Sequence, residues 1–186
     1  PKPIQPELPT WLTATRSPVT FEAAGRTGAN VLTALLSMTV PELQENIKIY
    51  RDARLAAGHD PDTGRVVVML HTLVGPDDET ARQLAHEPMV QYFRSHTELR
   101  KSVARDLGGS GPNKAISEVD AEQLISAAVA RYFGTSSLIG SPDTCLKLVR
   151  RLEQIGVDEF ACLIDFGVAT DPVLENLVHL AELMKK

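Results

Sequence analysis

Val66-Val67-Val68-Met69-Leu70-His71-Thr72-Leu73-Val74 is almost continuously apolar and rich in β-branched side chains. The run does not alternate between apolar and polar residues, as a half-exposed strand would. It is also short, which favours a strand over a buried helix. A strand of this kind has both faces covered, the situation found in parallel sheets flanked by helices.

Three weaker runs share its character: Trp11 to Ala14, Val31 to Leu36 and Phe160 to Phe166. Helix signals separate them. Ser17-Pro18 opens a helix to about Thr27, with serine at the cap and proline at the first helical position, where its missing N–H had no helical partner. Gly28 stops it. Thr39 and Glu42 have the spacing of a capping box. Behind them Leu43, Ile47, Tyr50 and Ala53 recur at helical period, and Gly58 ends that helix. Asp77 caps a helix expected to reach Asp106. Gly108 to Asn113 reads as a flexible linker. Ser117 and Asp120 suit another cap, ahead of Leu124, Ile125, Ala128, Val129 and Tyr132. Ser141-Pro142 repeats the serine–proline opening, with Leu146, Val149 and Leu152 as the apolar stripe and Gly156 as the stop. Asp171-Pro172 opens a last helix bearing Val173, Leu177, Leu180 and Met184.

The pattern is strand then helix, four times, with a helical insertion over residues 77–137 after the third strand. Alternation of this kind implies a parallel sheet with right-handed crossovers. The choice lies between an open doubly wound sheet and part of a (β/α)₈ barrel. A complete barrel takes about 250 residues, so four units make half of one.

Composition narrows the function. The chain has 186 residues, 43% hydrophobic and 23% charged, which is ordinary for a globular protein. Aromatics are 5%, so the core is expected to be mostly aliphatic. A net charge of −5 argues against a nucleic-acid partner. No apolar run has the length of a membrane span. The proline-rich opening is unlike a signal peptide, so a cytoplasmic location is expected. Cys145 and Cys162 both lie in apolar patterns and are expected to be buried free thiols. His59, His86, His96 and His179 show no metal-ligand spacing among themselves or with the cysteines, so no metal site is expected.

In folds of this class, ligands meet the loops that follow the strands. The first such loop is the most informative. Arg16, Ser17 and Thr20 bracket a helix N-terminus, where free N–H groups and the helix dipole favour an anion. Arginine adds a planar fork suited to phosphate. The alternative is a plain helix cap beside a surface arginine. Asp165, at the end of the last strand, either faces the pocket mouth or prepares the turn at Gly167. His71 either lines the barrel interior or is a satisfied core histidine. The Gly108-Gly109-Ser110-Gly111 stretch lacks the strand before it and the Gly-Lys-Ser/Thr ending of a phosphate loop.

The segment Trp11-Leu12-Thr13-Ala14-Thr15-Arg16-Ser17-Pro18, followed by Thr20-Phe21-Glu22 and Gly28-Ala29-Asn30-Val31-Leu32-Thr33, resembles the fifth strand, fifth helix and sixth strand of bacterial luciferase-like monooxygenases. More narrowly, it resembles the subgroup found beside or within polyketide and peptide assembly lines. Ala56-Gly58-His59-Asp60-Pro61 with Gly64-Arg65-Val66 fits that subgroup. So do Gly140-Ser141-Pro142-Asp143-Thr144-Cys145, Gly156-Val157-Asp158-Glu159 and Ala161 to Gly167.

The resemblance implies the C-terminal half of a TIM-type barrel, with reduced FMN as cofactor and dioxygen as co-substrate. It implies that Thr15, Arg16, Ser17 and Thr20 contact the flavin phosphate. The family's first four strands, which carry much of the ring pocket and a histidine linked to chemistry, have no counterpart in residues 1–186. The expected partner is therefore an N-terminal half-barrel, on the same or a separate chain, within an oligomer. The expected activity is oxygenation of a small-molecule or carrier-tethered substrate in natural-product biosynthesis, with His71 and Asp165 as the only catalytic candidates here. A non-catalytic flavin-binding or structural half-barrel and a deazaflavin-dependent oxidoreductase are the rival readings.

Overall fold

The computed structural model describes residues 4–5, 8–95 and 118–185. The strands are β1 (Trp11–Thr13), β2 (Asn30–Ala34), β3 (Val66–Val74), β4 (Leu138–Gly140) and β5 (Glu159–Leu163). The helices are α1 (Pro18–Arg26), α2 (Val40–Ala56), α3 (Asp78–Ser95), α4 (Glu118–Thr135), α5 (Pro142–Gln154) and α6 (Thr170–Leu183). The strands form one sheet in the order β1-β2-β3-β4, with β5 also paired to β3. The β1–β2, β2–β3 and β3–β4 pairs are parallel, so the chain is α/β with the helices as crossovers.

The central strand carries the prediction best. β3 spans Val66–Val74, and every residue in it except Met69 is buried. The expectation of four strands needs correction: Leu138–Gly140 forms a fifth. Its three residues are all buried, and Thr72 to Val74 of β3 pair with them. Three residues are too few to show a period, and the segment sits between the end of one helical stripe and the cap of the next. The stretch expected as an insertion carries α3 and α4 among the described residues. The proposed linker at Gly108 to Asn113, the cap at Ser117 and the extension of α3 beyond Ser95 lie outside them.

Two compact units divide the chain: Pro1–Met69 with Leu152–Ala161, and Leu70–Arg151 with Cys162–Lys186. In the first unit, α1 packs on β1, β2 and α2. Phe21, Ala24, Val31, Leu43, Tyr50, Val66 and Val68 form its core. The helix α1 ends where Thr27 gives way to Gly28, whose φ of +75° suits glycine. Tyr50 donates to the Ala29 carbonyl at 2.9 Å, and the buried Arg54 donates to the carbonyls of Asp60 and Ala29 and to Thr63 Oγ1. These bonds fix the loop between α2 and β3. At the start of β3, Asp158 Oδ2 accepts from the Val66 N–H at 2.7 Å and from Arg51 at 3.0 Å. The Asp158 N–H donates to the Val66 carbonyl, beginning the β5–β3 pairing.

In the second unit, Leu70, Ala81, Ala85, Met89, Phe93, Val129, Tyr132, Leu138 and Ile139 are buried together. A further expectation needs correction. Cys145 is buried but Cys162 is exposed. Its apolar flanks suggested a covered strand, yet among the described residues β5 pairs only with β3, and its side chains stay partly open. Burial pushes the Cys145 thiol up to about 12, leaving it an inert packing group. Asp171-Pro172 stands in the opening turn of the last helix, as expected, with Ala169 as its N-cap and no side chain capping it. No described helix is long and apolar enough to cross a membrane.

Candidate functional site

Thr15, Arg16 and Ser17 lie in the turn between β1 and α1, and Thr20 lies in the first turn of α1. Thr15, Arg16 and Ser17 are exposed and Thr20 is half-buried. Ser17 is the N-cap residue, with Pro18 at the first helical position as its sequence predicts. Its carbonyl accepts from the N–H of Thr20 at 3.0 Å, but its hydroxyl makes no capping bond. The hydroxyl is thus not committed to the helix, unlike that of an ordinary serine cap.

Arg16 is anchored from two directions. Its carbonyl accepts from Asn46 Nδ2 of α2 at 3.4 Å, and Asn46 is buried. Its guanidinium Nη2 donates to Glu42 Oε1 at 2.5 Å. The other oxygen of Glu42 accepts from the Thr39 N–H at 2.7 Å and the Thr39 hydroxyl at 2.8 Å, completing the capping box of α2. The Thr39 N–H, together with the Thr39 hydroxyl and Arg16, holds the Glu42 carboxyl below its ordinary range against the opposing effect of burial. The sequence identified Glu42 only as a cap. Its second role joins residues 26 apart, which local spacing cannot reveal.

His71 and Asp165, the catalytic candidates, occupy different surroundings in the second unit. His71 is buried, with Nδ1 2.8 Å from the Tyr132 hydroxyl. The rings of Tyr92, Tyr132 and Phe166 meet it edge-on at centroid distances of 4.6, 5.7 and 5.5 Å. This is the geometry of a core histidine joining α3 and α4 to β3. Burial raises the Tyr132 hydroxyl well above the ordinary tyrosine range, so it stays protonated. Asp165 is exposed after β5.

A third cluster escaped sequence reading. The Asp78 carboxylate accepts from the Ser141 N–H at 2.7 Å and from the Thr144 hydroxyl at 2.9 Å. It thereby ties the start of α3 to the start of α5. Asp77 fits the cap pattern better and indeed accepts from the Thr80 N–H, which hid the role of its neighbour. A Cβ on Gly140 would lie 2.9 Å from Asp78 Oδ1, so glycine leaves room for that carboxylate. Asp78→Ala should lower stability by about 1 kcal/mol, as loss of a cap does. The Ser141 N–H is the main cause holding the Asp78 carboxyl below its ordinary value of 3.8. Its stabilisation is therefore present above that value and disappears as pH falls through the lowered one. Thermal midpoints of wild type and variant should converge in that acid range. A gap independent of pH there would remove Asp78 from this role.

The sequence profile of luciferase-like monooxygenases matches residues 1–159. The chain belongs to the luciferase-like monooxygenase family. No curated protein sequence matches it. Among solved structures, this luciferase-like chain is similar to the monooxygenase RslO1 from Streptomyces bottropensis, at 18% identity and a TM-score of 0.65, covering 97% of this chain and 48% of that one. It is similar to the oxygenating constituent of 3,6-diketocamphane monooxygenase from Pseudomonas putida, a type II Baeyer–Villiger monooxygenase in complex with FMN. There the identity is 22%, the TM-score 0.66 and the coverage 96% of this chain and 47% of that one. An F420-dependent secondary alcohol dehydrogenase in complex with an F420-acetone adduct matches at 17% identity and a TM-score of 0.61, over 100% and 51% of the two chains. At these identities the likeness is one of fold. The luciferase-like chain spans about half the length of these structures, in keeping with half of a TIM-type barrel.

Proposed function

We propose that this chain is the phosphate-anchoring half of an FMN-dependent monooxygenase that oxygenates a small-molecule or carrier-tethered substrate in natural-product biosynthesis. The observation that carries the reading is the donor set at the start of α1. Thr15, Arg16, Ser17 and Thr20 flank one helix N-terminus in sequence, and the Ser17 hydroxyl makes no capping bond to the helix. The Arg16 guanidinium engages the Glu42 carboxylate, an oxyanion of the kind a phosphate would present. The donor set fits a phosphate monoester. Thr15, Arg16, Ser17 and Thr20 would bind that phosphate and so fix the flavin in place. When bound, reduced FMN supplies the electrons with which dioxygen is activated. The protein's task is anchoring, substrate placement and exclusion of water. An N-terminal half-barrel, on the same or another chain, supplies the rest of the pocket.

Arg16→Ala in the complete enzyme should weaken FMN binding about tenfold with little change in folding. A charge-assisted hydrogen bond is worth about 1.5–3 kcal/mol, and partial exposure places Arg16 at the lower end. Flavin fluorescence titration measures this. An unchanged dissociation constant would return Arg16 to the role of a surface residue. The F420-dependent relatives support a second reading, hydride transfer with a deazaflavin. The absorption spectrum of the cofactor that copurifies separates the two.

A further inference from the structure

We propose that Glu42 sets the anion affinity of the β1–α1 turn: its carboxylate holds the Arg16 guanidinium when no ligand is present, and a phosphate monoester binds by competing for that guanidinium. The inference rests on the reading of this turn as a phosphate site. Glu42 cannot follow a departing partner, because its Oε2 is held by the Thr39 N–H and hydroxyl. Arg16 can move, since only its backbone carbonyl is tied to Asn46 and its side chain has a flexible stem. The side chains of Arg16 and Glu42 are each 41% exposed, so water can replace either partner and the exchange is inexpensive. While the pair holds, the positive charge beside the start of α1 is neutralised. An anion must then outcompete a fixed carboxylate, which favours a doubly charged phosphate that several donors can share. A weaker anion such as chloride gains too little to displace it.

The test uses the full-length protein, with FMN, riboflavin and inorganic phosphate as probes. Glu42→Gln removes the charge but keeps a residue that serves in a capping box, so its thermal midpoint should stay near that of wild type. FMN should bind roughly threefold to fivefold more tightly to the variant, the range of an exposed ion pair. Riboflavin, which lacks the phosphate, should bind both proteins equally. The gain should vanish when Arg16→Ala is combined with it. In the wild type, the ¹⁵N signal of the Arg16 side chain should shift on saturation with inorganic phosphate, a readout independent of any variant. Equal or weaker FMN binding by Glu42→Gln, with Arg16→Ala still harmful, would overturn the competition and leave the phosphate site standing. An Arg16 signal indifferent to phosphate would likewise overturn it. FMN binding indifferent to Arg16→Ala would remove the phosphate reading and this inference together.

Discussion

Gly25→Val should destabilise the protein by about 3 kcal/mol, the upper part of the range for overpacking a close-packed interior. Gly25 lies in the last turn of α1 and is buried against α2. A Cβ at this position would stand 2.4 Å from the Tyr50 carbonyl oxygen, 2.8 Å from the Ala53 Cβ and 3.0 Å from the Arg54 N–H nitrogen. Two of those three atoms are backbone, so no rotamer change relieves the clash. The helices must separate, and the tie from Tyr50 to Ala29 lengthens with them. Gly25→Ala is the graded control. Alanine gains about 1 kcal/mol of helix propensity over glycine, yet its Cβ meets the same oxygen. It should fall between wild type and the valine variant. Urea denaturation of the full-length protein measures both, with the slope checked for constancy. A valine variant with the wild-type midpoint would mean that α1 and α2 pack less closely than these distances state.

The features legible in the sequence were those written in consecutive residues. β3 carries its signal in nine adjacent side chains, and its bounds match the expectation. The Thr39–Glu42 capping box needs four residues and is present with both bonds. The serine–proline openings mark the starts of α1 and α5 because proline fixes its own backbone angle whatever the tertiary context. The turn holding Thr15, Arg16 and Ser17 follows from the same logic.

What stayed hidden depends on partners distant in the chain. The exposed Cys162 is one case: its neighbours are apolar, but exposure is decided by how many strands flank β5. His71 is another. Its partner Tyr132 is 61 residues away, so the sequence left both pocket wall and core open. The Asp78 tie to Ser141 spans 63 residues and competes with a better local pattern at Asp77. The Arg16–Glu42 pair matters most, because it changes the electrostatics of the candidate site without altering a single predicted element.

The 186-residue chain on its own should self-associate, whereas the complete barrel should be compact and well behaved. Among the described strands, β1 pairs only with β2 and β5 only with β3. Neither β1 nor β5 contains proline or lysine within its bounds, the usual protection of an open edge. Trp11 in β1 is 42% exposed, and on α6 Leu174 and Val178 are 58% and 55% exposed. Separately, exposed apolar side chains are common, but gathered along one helix they call for a cover. In a closed barrel, the edge strands pair with strands of the other half, and the inner faces gain opposing layers of side chains. Sedimentation velocity at micromolar concentration tests this on the isolated chain and on the chain coexpressed with an N-terminal half-barrel. The isolated chain should sediment as dimers or larger species, and coexpression should convert it to a single defined complex. A cooperative, well-folded monomer of the isolated chain would favour a self-sufficient open sheet, because such a sheet needs no second half to cover β1, β5 and α6.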